Sequence, residues 1–351
     1  KGFLIWKKVA DAKEEKIRAT VLELHAKLNE VATRSLESRG RGFGAAAEAN
    51  ENNPDWYRKN CAETRVILRQ LYDWVIAPIA DQIDDAEPLL LMPYASLCYL
   101  PFEAVLSQDG QFLGERHTVA YLLHRDHMDA TFDALADPPR TGPDFWVAFG
   151  DPVGNLKSAR SEVAEIRALF PKHAVHTVKT NTATEAELLR IPKGTTILHF
   201  ATHGFLNGTE PSKTYLELAP EDPFDGKLEQ GEVWPQLRDE LACMESETLR
   251  LVVMSACDTA RGAKDPRAEV LGLPDNFTAA GAPAVLASLW KVNTWSTGML
   301  MAEFYERLAA GKTGIGVSLR DARRAMLEDK ANGRYAHPYY WSPFILFGDW
   351  R

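Results

Sequence analysis

Thr196-Ile197-Leu198-His199-Phe200-Ala201-Thr202-His203-Gly204 and Leu251-Val252-Val253-Met254-Ser255-Ala256-Cys257-Asp258-Thr259 are the two stretches that decide the fold. Each is a short apolar run bounded by turn residues, the pattern of a strand buried on both faces of a parallel sheet. Functional groups of open α/β sheets gather at the carboxyl ends of the strands. His203 and Cys257 end their runs, so both are expected at one sheet edge. A thiol beside an imidazole is the least that a cysteine nucleophile requires.

The segments around these runs alternate between β and α patterns. Strands are expected at Phe145–Phe149, Val175–Val178, Tyr215–Leu218, Ala284–Leu289 and Phe344–Phe347. Helices are expected at Ser158–Leu169, Leu273–Ala280 and Thr297–Ala309, and at Thr184–Arg190, where Thr184 with Glu187 forms a capping-box pattern. Strands alternating with helices imply a mostly parallel sheet covered on both faces, an α/β fold. Upstream, the stretch Asp137-Pro138-Pro139-Arg140-Thr141-Gly142-Pro143 is the clearest linker signal in the chain. Before it come a helical composition over 9–38, a Gly- and Asn-rich loop over 39–55 and an apolar-striped helix over 56–80. Short strands follow at Leu89–Met92 and Thr118–Leu123, with a compact turn and short helix at Pro101–Leu106 between them. There is no internal repeat.

The composition bounds the function. The 351 residues are 45% hydrophobic and 25% charged, an ordinary globular balance with room for two domains. A net charge of −9 gives no general attraction to nucleic acid or to an anionic membrane. No apolar run reaches the length of a transmembrane helix, and Lys1–Lys8 lacks the apolar core and cleavage site of a signal peptide. The four cysteines (Cys61, Cys98, Cys243, Cys257) have no CxxC spacing, which argues against a disulfide framework or zinc site and for a reducing, cytoplasmic setting. The sequence calls for no cofactor and no metal.

Two phosphate-loop look-alikes fail. Gly311-Lys312-Thr313 lacks the leading glycine of GxxxxGK[ST], because position 306 is Glu306, and it follows a helix where a strand is required. Gly40-Arg41-Gly42-Phe43-Gly44 has no strand before it and reads as a loop. No GxSxG occurs, so a hydrolase serine is unsupported. What stands is the thiol and the imidazole. Ser255 and Ala256, both small, leave space at Cys257 for a peptide carbonyl. Gly204 after His203 lets the backbone approach a substrate closely, and the N–H groups of Gly204 and Cys257 make an oxyanion hole in this reading. The 54 residues from His203 to Cys257 are close to the caspase interval of about 50. His199, inside its run, reads as a core or supporting histidine. Cys61, Cys98 and Cys243 read as small buried hydrophobes.

These motifs resemble the CHAT domain, a caspase- and separase-like cysteine peptidase family often found C-terminal to TPR repeats. The resemblance runs through Leu71-Tyr72 with Ile76-Ala77-Pro78, Leu100-Pro101-Phe102-Glu103-Ala104, Phe149-Gly150-Asp151-Pro152, the His203 and Cys257 segments, Ala287-Ser288-Leu289-Trp290-Lys291-Val292, Pro338-Tyr339-Tyr340-Trp341 and Gly348-Asp349-Trp350. It implies a caspase-like mostly parallel sheet flanked by helices, with an N-terminal helical, pseudo-protease-like support region over 1–137 and the protease domain over 144–351. The family's catalytic dyad falls on His203 and Cys257. Its pocket for the residue before the cut falls on Ser288 through Asn293, with Trp290 either a wall of that cleft or a core tryptophan. An Asp that the family often carries is Asn293 here, which removes the basis for a basic-residue preference; Asp258 either supplies the charge instead or makes turn hydrogen bonds. Pro93-Tyr94-Ala95 stands where the family often has Pro-His-Gly. The start at Lys1-Gly2, without a methionine, fits a chain that continues upstream into helical repeats. The expected activity is peptide-bond cleavage in a protein or peptide substrate, regulated by that upstream region or a partner, with no nucleic acid or membrane in direct contact. The alternative is a catalytically silent scaffold or signalling module.

Overall fold

The computed structural model describes residues 11–37, 54–84, 87–136, 144–178, 182–205, 207, 210–233, 249–256, 272–290, 292, 294–328 and 335–351. Cys257, Asp258 and Asn293 lie outside the described residues, as do Cys243, the loop over 39–53 and the linker over 137–143.

Two helices open the described chain, α1 (Asp11–Glu37) and α2 (Pro54–Val75). They pack on each other through Ile17, Val21, Leu24, Leu28 and Val31 of α1 and Ile67, Leu68 and Leu71 of α2, all buried. Their spacing of three and four residues puts these side chains on one face. Then come β1 (Leu89–Leu91), α3 (Leu113–Arg116), β2 (Val119–Tyr121) and α4 (Arg125–Ala136). The α/β series follows as β3 (Trp146–Gly150), α5 (Lys157–Arg167), β4 (Val175–Val178), α6 (Glu185–Leu188) and β5 (Ile197–Ala201). Next are the short strands β6 (Gly204–Phe205), β7 (Tyr215–Glu217) and β8 (Lys227–Glu229), then β9 (Leu251–Ser255) and α7 (Gly272–Ala279). The chain closes with β10 (Ala284–Ser288), α8 (Thr294–Ala309), α9 (Ile315–Glu328), α10 (Pro338–Trp341) and β11 (Phe344–Gly348).

Eight strands form one sheet in the order β1-β2-β11-β10-β9-β5-β3-β4. The block β10-β9-β5-β3-β4 is parallel throughout, and so is the block β1-β2-β11. The two blocks run in opposite senses, because β10 and β11 pair antiparallel. The sheet is therefore mostly parallel, as expected, with one reversal at its middle. It also continues past the linker: β1 and β2, from upstream of 137–143, sit beside the C-terminal β11.

Strands β3, β5, β9, β10 and β11 are buried along their whole lengths. Their near-continuous apolar sequences reflect cover on both faces. On one side His199 of β5 meets Glu162 of α5 and Tyr305 of α8; on the other its neighbour Phe200 packs on Phe277 of α7. Successive side chains of a strand point to opposite faces, so α5 and α8 cover one face and α7 the other.

Two expectations differ in detail. Tyr215–Leu218 is a strand, but it belongs to a separate antiparallel ribbon β6-β7-β8 rather than to the large sheet. Thr184 caps its helix by accepting from the Glu187 N–H at 3.3 Å, yet α6 stops at Leu188 after one turn. Helix α9 fills part of the gap between β10 and β11 that the alternating pattern assigns to helix, whereas α4 is a helix that the sequence pattern does not announce.

Candidate active site at the carboxyl ends of β5 and β9

Strands β5 and β9 are neighbours, with Ala201 opposite Ser255. His203 lies two residues beyond Ala201, and Cys257 two residues beyond Ser255 in the sequence. The register thus makes the two runs level at their carboxyl ends, where a parallel sheet opens to ligands.

His203 is held by its backbone and by its ring. Its carbonyl accepts from the Glu217 N–H at 2.9 Å, and the Thr202 hydroxyl donates to the Glu217 carbonyl at 2.6 Å. The edge of β7 therefore fixes the two residues that leave β5. Hydrogen-bonded and non-hydrogen-bonded pairs alternate along an antiparallel ladder. Since His203 bonds Glu217, Gly204 opposite Leu216 takes the non-hydrogen-bonded position, with its N–H directed away from β7. That orientation leaves the N–H available to a substrate oxygen.

The His203 ring is half-buried, and its Nε2 is 3.0 Å from Oδ1 of Asn155. With the Asn155 carbonyl oxygen as acceptor, Nε2 carries the hydrogen and Nδ1 is left for proton transfer. Asn155 was not singled out in the sequence; the signal that leads to it is Phe149-Gly150-Asp151-Pro152. Gly150 ends β3 where a Cβ would stand 2.7 Å from Val163 Cγ2, so α5 crosses this strand end at a distance that only glycine allows. Asp151 follows with φ of 50°, fully buried. Its carboxylate accepts from the Leu156 N–H at 2.7 Å and pairs with Arg160 at 3.0 Å, while its own N–H donates to the Ala201 carbonyl at 2.9 Å. This Asp thus ties the 151–156 turn to the end of β5 and carries Asn155 to His203.

On the other side of β9, Ser288 ends β10, fully buried, and its hydroxyl donates to the Ala256 carbonyl at 2.6 Å. The bond holds the residue before Cys257. Trp290 is 2% exposed; its indole N–H donates to the Tyr339 carbonyl at 3.3 Å, and its ring meets His25 of α1 edge-on with centroids 6.0 Å apart. It packs as a core side chain between α1 and α10. Trp295, 56% exposed at the start of α8, is an aromatic near this segment that the sequence reading passed over. Of the expected site residues, His203, Gly204, Ser288 and Trp290 are described, and Cys257, Asp258 and Asn293 lie outside the described residues.

Cys61 and Cys98 are free and half-buried, and burial raises both thiols, Cys98 to about 11. Such thiols are poor nucleophiles near neutrality. Among the described residues there is no cluster of three or more His, Cys, Asp or Glu suited to a metal ion, and no helix long and apolar enough to cross a membrane.

A mostly parallel sheet flanked by helices, with a histidine at the carboxyl end of one strand and the next strand running into a cysteine, defines a caspase-like α/β fold. The chain belongs to the CHAT domain family, whose model matches residues 65–349. In mouse (Mus musculus), Tetratricopeptide repeat protein 28 is 24% identical over 376 residues, an alignment covering 91% of this chain and 15% of that protein. The chain therefore spans about 15% of the length of this curated relative. Two crystal structures of the Saccharomyces cerevisiae separase–securin complex share the fold. One has a TM-score of 0.53 at 13% identity and covers 94% of this chain and 22% of that one; the other has 0.52 at 14%, covering 97% and 22%.

Proposed function

We propose that this chain is a cysteine endopeptidase whose dyad is Cys257 and His203. The observation that carries the reading is the level register of β5 and β9, whose last paired residues, Ala201 and Ser255, come two positions before His203 and Cys257 in the sequence. Cys257 Sγ, as thiolate, attacks the scissile carbonyl carbon. The resulting oxyanion takes hydrogen bonds from the N–H groups of Gly204 and Cys257, a kind of contact worth about 10²–10³ in rate per donor. His203 gives its proton to the leaving amine as the C–N bond breaks. A water deprotonated by His203 then hydrolyses the thioester and restores the thiol. Asn155 holds the imidazole, and Ser288 holds the backbone before the nucleophile.

In this proposal residues 144–351 form the catalytic domain and residues 1–137 a support for it. The substrate is a protein or peptide, and the control is exercised by a partner or by an upstream repeat region. The tetratricopeptide repeats in the name of the mouse relative support that last point. The sparse cysteines, two of them free and half-buried, favour the cytoplasm.

Cleavage of a peptide library by the native chain and by Cys257→Ala tests the reading, with products mapped by mass spectrometry. Cleavage only by the native chain is expected. Cleavage that persists in Cys257→Ala would overturn the assignment. A peptide electrophile supplies an independent check: Cys257 should label ahead of Cys61 and Cys98, whereas a silent scaffold would show no such selectivity.

A further inference from the structure

Phe205 lies two residues beyond His203 and is 42% exposed. Single exposed apolar side chains are ordinary on a protein surface, but this one is built into a fixed arrangement. Strands β6 and β7 place Phe205 directly opposite Tyr215, and their rings stack with centroids 4.8 Å apart and planes 21° apart. The Lys227 ammonium of β8 sits 5.8 Å from the Tyr215 centroid. The Phe205 ring is 6.1 Å from the His203 ring. The ribbon therefore holds an aromatic shelf in water beside the imidazole, backed by a second ring and at low entropic cost to a ligand.

Strand order gives the shelf a direction. Along the open edge, β10, β9 and β5 follow one another. They lead into the pocket segment after Ser288, into Cys257 and into His203. In the endopeptidase reading, on which this inference rests, the imidazole gives its proton to the leaving amine, so that amine must come within about 3 Å of the ring. The acyl part of the substrate then lies toward β10, and the leaving part exits past His203, where β6 and β7 stand. The side chain on the leaving residue begins two bonds beyond the amine, within reach of a ring 6.1 Å from the imidazole.

We infer that Phe205, backed by Tyr215, is the binding face for the residue immediately after the cleaved bond, and that it selects an aromatic or bulky apolar side chain there. Aromatic pairing of this kind is worth about 3- to 10-fold in affinity beyond simple burial.

Two measurements test this. The first is the library profile at the position after the cut for the native chain and for Phe205→Ser. The preference for Phe over Gly there should fall about 3- to 10-fold in the variant. The second uses Cys257→Ala, with and without Phe205→Ser, titrated with short peptides that begin with Phe or with Gly. The Phe peptide should bind more weakly by the same factor when Phe205 is replaced, and the Gly peptide should not. Cys257-dependent cleavage with an identical profile in both chains would overturn the shelf and leave the endopeptidase reading intact. If there is no Cys257-dependent cleavage but Phe205-dependent binding of the Phe peptide remains, the endopeptidase reading falls and the shelf stands as a site for such peptides. Neither cleavage nor Phe205-dependent binding would overturn both.

Discussion

The two blocks of the sheet make opposite use of the same kind of strand. In β10-β9-β5-β3-β4 the carboxyl ends reach the edge that carries His203, where His203 is half-buried and Phe205 is 42% exposed beside the fully buried Ser288 and Asp151. In β1-β2-β11 the carboxyl ends point to the opposite edge, and Pro93-Tyr94-Ala95 follows β1 there, far from the imidazole along the strand direction. This second block is tied together by buried polar groups. Arg323 of α9 pairs with Glu103 at 3.0 Å and donates to the Phe344 carbonyl; the Tyr121 hydroxyl donates to the same Glu103 at 2.7 Å and accepts from the Phe102 N–H at 2.9 Å. His127 of α4 accepts from the Leu123 N–H at 3.1 Å. The first block is open in that its carboxyl edge carries the half-buried His203, and the second closed in that Glu103, Arg323 and Tyr121 pair inside it, with Tyr94 78% exposed at its own carboxyl edge; the antiparallel junction between β10 and β11 separates them. That separation puts Pro93-Tyr94-Ala95 and His203 at opposite edges of the sheet.

The sharpest way to break this contrast is to change one residue at each edge. Cys257→Ala and His203→Ala should each lower kcat/KM by about 10⁴-fold or more, while Tyr94→Ala, at the opposite edge, should stay within about 2-fold of native. A large loss in Tyr94→Ala would show that the closed block also serves the site. Next in size is Glu103→Ala, which leaves Arg323 charged and unpaired in the interior. A loss of about 3–5 kcal/mol in a urea titration is expected. Restoring an apolar pair with Glu103→Leu and Arg323→Met should recover most of it.

Acid should act on two buried histidines, His337 and His127. Burial pushes His337 from its usual 6.5 down to about 3 and His127 to about 4. His337 is held by Asn60 Oδ1 at 2.9 Å, by Thr64 at 3.4 Å and by the Tyr339 N–H at 3.1 Å, so it ties α2 to α10 as a neutral ring. A depressed histidine pKa means that the unfolded chain binds more protons than the folded one between these values. Stability is then whole above pH 6.5 and falls as the pH drops toward 3. At pH 5 the stability lost through His337 is about 2 kcal/mol, or 1.5 units at 1.36 kcal/mol each. His337→Gln should flatten the acid side of a stability-against-pH curve, even if it lowers the plateau. The smallest effect belongs to Asn155→Ala, which removes one hydrogen bond from the imidazole. It should cost about 3- to 10-fold in kcat with KM unchanged, and Asn155→Asp should restore activity with a shifted pH profile.

Much of the open block was legible in the sequence. Buried parallel strands are apolar runs, and runs such as Ile197–Ala201 and Leu251–Ser255 announce both their position and the residue that ends them. Strand direction was not legible, because the composition of Phe344–Phe347 is the same whether it runs with β10 or against it. Nor was the shared sheet: β1 and β2 are three residues each, and pairing across the linker is a long-range choice that no local pattern records. The short ribbon escaped for the same reason, since Gly204–Phe205 is too brief to show a period. Asn155 was hidden because its role comes from a turn shaped by Asp151 and Gly150 rather than from any motif of its own. The burial of Trp290 depends on α1, which is distant in sequence and meets it through His25.

The place of β11 has a consequence in time. Among the described strands it is the last in chain order, yet it lies between β2 and β10, near the middle of the sheet. A chain growing from the ribosome has both flanking strands long before it has the one that joins them. Until Phe344–Gly348 emerges, β2 and β10 are unpaired edges, and such edges are exposed to wrong partners. The junction therefore holds the two blocks together: without Phe344–Gly348, β2 and β10 lack the strand that joins them.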